Sequence, residues 1–262
     1  MVSKIQVDNY KTWFKEYYSG FKTKDNAFNN ILELKFQHSL RVCREIIDIG
    51  KYCDLPQNQL RLAETMALFH DLGRFQQYKD YKTFSDKKSI DHAELAVQIL
   101  KKYNILSNIE EKYRLLIYKA IENHNKIKIP FNTFGDELFF SKLLRDADKV
   151  DIFKVVTNYY ENKHLYNDKT LELDLPDTPE IKEENYIDIV SGRTIKSENL
   201  KTLNDFKLMQ ISWLFDINFT RSFQKINENG YIQKIFATLP QHEKIMNIKS
   251  NVLKYISESL VA

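Results

Sequence analysis

The stretch ALFHDLGRF, residues 67–75, sets an imidazole beside a carboxylate, His70 and Asp71, in a run otherwise apolar enough to be buried, with Gly73 and Arg74 close behind. A single His-Asp pair is most often a chance neighbour, or a core histidine satisfied by local hydrogen bonds. Here it has company. His38, His92 and His124 also fall on apolar faces of helical-looking stretches, each near an end or beside a loop. Histidine is only intermittently buried, so a shared ligand explains four such residues more economically than four separate satisfied rings. Neutral imidazole together with carboxylate binds divalent first-row metals, and successive helices contributing one ligand each are a common way to hold them. Carboxylates are available in DADKVD, residues 146–151. Leu144, Asp148, Asp151 and Val155 form one stripe there, and Leu143, Asp146, Val150 and Phe153 form another. The period alone leaves open which aspartate faces the site. His164 and His242 lie in polar surroundings and read as surface residues.

Those side chains need rigid elements to position them. Gly and Pro are scarce, 6 and 5 residues, and apolar residues recur at helical spacing along most of the chain, which predicts an all-α protein. An N-terminal helix is expected over 8–20. From about Asn26 to Cys53, Ile31, Leu34, His38, Val42, Ile46 and Ile49 share a face, and Asp54-Leu55-Pro56 ends the helix. From about Gln59, Ala63, Met66, Ala67 and His70 line a second face ending near Gly73. QQYKDYKTFSDKKSI, 76–90, has no periodicity and reads as a loop covering a site. Asp91 with Glu94 resembles a capping box, placing His92 in the first turn of a helix with Leu95, Ala96 and Ile99. Tyr113, Ile117, Ala120 and His124 mark a helix over about 109–123. A further helix covers 137–160. After an irregular polar region containing DLPDTPE, one long aromatic-rich helix is expected over 203–226, with Phe206, Trp213 and Phe219 as core residues.

Composition narrows the class. Apolar residues make up 43% and charged residues 29%, ordinary globular usage. Lys plus Arg (39) and Asp plus Glu (36) nearly balance, without a basic block, so nucleic-acid binding has no support. Cys43 and Cys53 lack metal or redox spacing and read as core filler in a reduced, cytoplasmic protein. The charged N-terminus is unlike a signal peptide, and no run approaches membrane-spanning length. The expectation is a single all-α domain over 1–262, with its core at about 26–160 and a helical extension at 161–262. The extension could complete the core, roof the pocket or form a homodimer face.

The order His38, His70-Asp71 and an aspartate in DADKVD resembles the HD superfamily of metal-dependent phosphohydrolases. HDLG is close to the HDIG variant of its signature, HSLRV at 38–42 is typical of it, and the resemblance covers roughly residues 30–160. It implies an HD-domain helical bundle, and it maps the last aspartate ligand onto Asp148, leaving Asp146 a supporting or structural role. The fuller order His, His-Asp, His, His, Asp is similar to members with two metals. That implies His38, His70, Asp71 and Asp148 on one ion and His92, His124 and a bridging Asp71 on the other. A one-metal site, with His92 and His124 contacting substrate, is the alternative. The ions would be Mn, Fe, Mg, Ni or Zn.

Position 74 departs from the HDxxE pattern of one-metal nucleotidases. Arginine cannot serve as a general base, but its fork can hold phosphate. HDxxED, the His-Arg opening of deoxynucleotide triphosphohydrolases and the glycine-tyrosine-proline motif of cyclic-dinucleotide phosphodiesterases are all missing from the sequence. The implied activity is hydrolysis of a small phosphomonoester or phosphodiester, with a nucleotide favoured, by a metal-bound hydroxide. Asp71 and Arg74 would be catalytic, and Arg74 and Lys149 would steady the phosphate. Two other readings share the ligand order: a diiron oxygenase resembling inositol oxygenase, and a non-catalytic ligand-binding module.

Overall fold

The computed structural model describes residues 2–163, 172–173 and 175–261. All regular secondary structure among them is helical, as the apolar periodicity predicts. His164 lies outside the described residues, and His242 is exposed. No helix among them is long and apolar enough to cross a membrane. By its internal contacts the chain divides into two compact units, Met1–Asp148 and Lys149–Ala262.

In the first unit, α1 (Lys4–Ser19) starts before the expected residue 8 because Ser3 and Gln6 form a reciprocal capping box. It buries Val7, Tyr10, Phe14 and Tyr18. α2 (Asn26–Tyr52) is capped by the Asp25 carboxylate, which accepts from the N–H groups of Ala27 and Phe28. α3 (Gln57–Phe69) packs along α2 and also touches α1. α4 (Gly73–Tyr81) follows after a short turn, then α5 (His92–Lys102) against α4, and α6 (Glu111–His124) against α3 and α5.

α4 corrects the loop expected over 76–90, most of whose first half is helical. Its buried face defeats a hydropathy reading because one of its fully buried residues is Gln77. That amide is satisfied: Nε2 donates to Asp86, Ser89 and the Ile90 carbonyl, and Oε1 accepts from Arg74. Beside it, Phe75 lodges among Phe14, Tyr17, Tyr18 and Phe21.

Gly73 is where α4 meets α5. A methyl group there would lie 2.2 Å from the His92 carbonyl oxygen and 3.0 Å from the Ala96 nitrogen. Only a bare Cα permits that backbone approach, and it sets the height of the first turn of α5, which carries His92.

α7 (Gly135–Glu161) is shared along its length. Phe140, Leu143, Leu144 and Ala147 are buried in its first part, whereas Val150, Phe153 and Val156 belong to the core of the second unit. The boundary between the two units falls inside this 27-residue helix. Its buried residues thus divide by position along the helix, the first part serving one core and the second part the other.

The second unit adds α8 (Glu183–Val190), α9 (Leu203–Ser212), α10 (Thr220–Glu228), α11 (Tyr231–Ala237) and α12 (Glu243–Ser259). The single helix expected over 203–226 is broken by a tight turn at Trp213–Asp216 and by extended backbone at Ile217 and Phe219. Polar groups end it locally. The Ser212 hydroxyl bonds the Met209 carbonyl and the Ile195 N–H, and Asn218 donates to the Asp216 carbonyl. Phe206 is in the core and Trp213 packs against it, as expected of them.

Gly73→Ala should therefore destabilise the protein by at least about 2 kcal/mol in denaturant unfolding, since the clash is with backbone that cannot swing away. Gly20→Ala, whose added methyl would meet nothing closer than 3.4 Å, should change stability by less than about 0.5 kcal/mol. Equal effects at the two positions would contradict the close-approach account.

Candidate metal centre

Each chemical side chain sits where a helix begins, ends or faces inward. His38 is on the buried face of α2, and His70 ends α3, with Asp71 next in the turn to α4. His92 opens α5 behind its N-cap, Asp91, and His124 closes α6. Asp148 lies on α7, its side chain 15% exposed. Further bonds hold these ends together. Arg145, buried on α7, donates to the carbonyls of Asn123, His124 and Lys126, gathering the C-terminal end of α6. Asn125 and Lys126 reach Asp91, which fastens the start of α5 to the end of α6.

The six expected ligands converge. Asp71 turns Oδ2 toward His38 and His70, at 3.6 and 3.8 Å from their Nε2 atoms. Its other oxygen, Oδ1, faces His92 and His124 at 3.2 and 4.0 Å. Asp148 Oδ1 lies 3.0 Å from His38 Nε2 and 3.6 Å from His70 Nε2. The potential ligand atoms group as His38–His70–Asp71, His70–His124–Asp148 and Asp71–His92–His124, with Asp86–Asp91–His92 beside them. Asp146 is fully buried but belongs to none of these groups.

The donor set suits a divalent cation for a reason internal to the rings. Nδ1 of His70 lies 2.7 Å from the Ala67 carbonyl oxygen, and Nδ1 of His124 lies 2.6 Å from that of Ile121. Carbonyls only accept, so both Nδ1 atoms carry the proton and both Nε2 atoms present lone pairs. Nδ1 of His92 is likewise 2.7 Å from the Asp86 carboxylate. Yet Nε2 of His92 and Nε2 of His124 are 3.0 Å apart. Facing lone pairs at such a distance repel unless a proton or a cation lies between. Burial, reinforced by His92 and His70, pushes His124 down to about pKa 3, so a proton is a poor solution at neutral pH. Imidazole and carboxylate donors suit Mn, Fe, Ni or Zn.

Burial by itself would raise the Asp71 and Asp148 carboxyls. Lys35, His70, His92 and Arg74 outweigh it at Asp71, and His38 and His70 do so at Asp148, so both are held well below the ordinary carboxylate range.

Two residues that the sequence reading passed over belong to this centre. Lys35 places Nζ 2.9 Å from Asp71 Oδ2. It lies one helical turn before His38, so its presence on the same face of α2 was available from spacing alone. Asp86 bonds His92, Arg74, Gln77 and Asn125. It sits in an aperiodic segment that offered no such signal.

Arg74 is beside Asp71 as expected, but much of its fork is committed. Nε is 3.3 Å from Asp71 Oδ1, and Nη1 donates to Gln77, the Phe84 carbonyl and Asp86. Those two nitrogens are therefore engaged within the protein. Lys149, expected at the phosphate, has its ammonium 2.6 Å from Asp216 within the second unit. Lys35 is the amine found at Asp71.

Residues 36–156 match the family described as HD domain, and the match contains every one of the converging ligands. This stretch of the chain is an HD domain. HD domains make up a superfamily of metal-dependent phosphohydrolases and bind divalent metals, which agrees with the donor set of this one. No curated protein and no solved structure matches the chain.

The lowered His124 carries a pH dependence. Its unfolded ring takes a proton near its ordinary pKa of about 6.5, while the folded ring resists protonation down to about 3. The associated stability is complete above about pH 6.5 and falls, by up to about 1.4 kcal/mol per pH unit, as the solution is acidified through that window. Chelator-treated protein unfolded in denaturant between pH 7.5 and 4 should show this decline, and His124→Gln should show a shallower one. Identical slopes would remove His124 as its source.

Proposed function

We propose that the HD domain hydrolyses a phosphomonoester or phosphodiester of a small molecule with the help of two divalent ions, a nucleotide being the substrate class favoured by the HD resemblance. The observation that carries the reading is the division of Asp71, one carboxylate whose two oxygens face two different pairs of imidazoles. His38, His70, Asp71 and Asp148 would hold one ion, and Asp71, His92 and His124 the other. When bound, such ions would polarise a phosphoryl oxygen and supply a water that is nucleophilic at neutral pH.

The chain's own contribution is orientation and charge. Lys35 and Arg74 bring two cations to Asp71, and the ring of Phe84 lies 5.3 Å from the Lys35 ammonium and 5.7 Å from the Arg74 guanidinium. That concentration of positive charge suits a phosphate ester. With Nε and Nη1 of Arg74 bonded inside the protein, Nη2 is the nitrogen it offers to a phosphoryl oxygen, a single donor rather than a fork.

The direct test is a phosphatase screen on chelator-treated protein with Mn, Mg, Ni or Fe added back, covering mono- and diesters and nucleotides. Phosphate release that returns with metal is expected. Metal-loaded protein that releases none from any ester, and instead consumes dioxygen in the iron form, would move the assignment to oxygenase chemistry.

Asp148→Asn should abolish activity and weaken metal binding with little loss of fold, because a neutral amide is a poor ligand. Asp146→Asn should disturb the metal less, and the reverse order in metal titrations would exchange their roles. Arg74→Ala should lower kcat/KM of the folded fraction roughly ten- to a thousand-fold, and Arg74→Lys should recover part of it. An unchanged kcat/KM would confine Arg74 to the loop it braces.

A further inference from the structure

The three histidines whose Nδ1 partners are visible do not all anchor that nitrogen in the same way. His70 and His124 stand at helix C-termini and donate to the carbonyl three residues earlier, Ala67 and Ile121, a partner belonging to the same helix. His92 cannot do this. It is the first residue of α5, so the residue three positions before it, Ser89, lies outside the helix and supplies no carbonyl from a preceding turn. Its Nδ1 is met instead by both oxygens of Asp86, at 3.0 and 2.7 Å, from the short turn Asp86–Lys88.

Asp86 is itself held firmly. Arg74 Nη1 donates to Oδ1 at 3.0 Å, Gln77 Nε2 to the same oxygen at 2.8 Å, and Asn125 Nδ2 to Oδ2 at 3.2 Å. Arg74 also takes the Phe84 carbonyl, pinning the backbone two residues before Asp86. The residues that brace the carboxylate come from α4 and from the end of α6, so the turn is bound to elements on either side of it.

We propose that Asp86 is a positioning residue that holds His92 with its proton on Nδ1 and its Nε2 lone pair toward Asp71 and His124, so that the affinity for the ion on the His92 side depends on the segment 82–91 that carries Asp86. The inference rests on the two-ion reading and adds to it a carboxylate outside the ligand set. A carboxylate behind a ligating imidazole orients the ring and raises its basicity, and loss of such a partner typically weakens metal binding about 10- to 100-fold. His70 and His124, anchored to their own helices, are independent of this segment. The two ions should therefore differ in their dependence on it.

The test compares wild type, Asp86→Asn, Asp86→Glu and His92→Ala after chelator treatment. Mn titration by calorimetry with elemental analysis should give two ions for wild type. In Asp86→Asn the first should be unchanged within about threefold and the second weakened about 10- to 100-fold, with Asp86→Glu recovering part of the loss. His92→Ala should retain a single ion. An independent readout that needs no metal is the long-range proton–nitrogen spectrum of the ring-labelled histidines. His92 should be protonated on Nδ1 in wild type and a mixture of tautomers in Asp86→Asn, because an amide can either accept from or donate to that nitrogen. Circular dichroism of Asp86→Asn and Asp86→Glu checks the fold, and the tautomer of wild type stands even if one variant misfolds.

An Asp86→Asn protein that holds the second ion as tightly as wild type overturns the proposal, as does a wild-type His92 protonated on Nε2. Wild type saturating at one ion would defeat the two-ion reading instead. Asp86 is then judged on that ion, and unchanged affinity in Asp86→Asn overturns the assignment there too.

Discussion

The centre of this HD domain is organised by where its imidazole protons are. Once Nδ1 of His70, His92 and His124 is committed to an acceptor, each Nε2 has only a lone pair to present, and the fold aims those lone pairs at one another and at Asp71. The arrangement is electrostatically unfavourable without a positive charge among the rings, and burial disfavours a proton as that charge. The rest of the first unit can be understood as what keeps the rings at this separation: the glycine contact between α4 and α5, the Arg145 clasp on the end of α6, and the Asn125 and Lys126 bonds to Asp91.

Much of that holding is done by polar groups in places where hydrophobic packing would be expected. Gln77 and Arg145 are almost wholly buried, and both are satisfied mainly by loop atoms and helix-end carbonyls. Such bonds are directional, so they specify position in a way that apolar contact does not. They also concentrate around the segment 82–91, which has no buried apolar residue of its own.

This division explains what could be read from the sequence. α2, α5, α6 and α7 carry apolar residues at helical spacing, and their extents follow closely from it. The four histidines were legible because each interrupts such a stripe without breaking its period. α4 and α8 were not, since they bury Gln77 and Asn185, polar residues whose side-chain amides donate to groups outside their own helices. The break at Trp213–Asp216 was hidden for the opposite reason: its residues are apolar enough to continue a helical pattern that local side-chain bonds interrupt. Lys35 shares a face with His38 and was recoverable from spacing, whereas Asp86 becomes meaningful only once the turn that carries it is folded against His92. Of the aspartates in DADKVD, period alone could not choose between Asp146 and Asp148. In the structure Asp148 is the one that groups with imidazoles of the site.

The bonds from His70 and His124 to Ala67 and Ile121 have another side. Those carbonyls belong to the last turns of α3 and α6, where backbone oxygens have no partner further along the helix. Each ring therefore completes a helix with one nitrogen and faces the site with the other. Helix stability and the metal binding proposed for the site are drawn from the same side chain, and neither can drift without the other. A lineage that lost the proposed metal binding would still have reason to retain both histidines as helix terminators, so in a diverged relative their survival would testify to the architecture before it testified to a metal. Asp148, which ends no helix, would be the more candid witness.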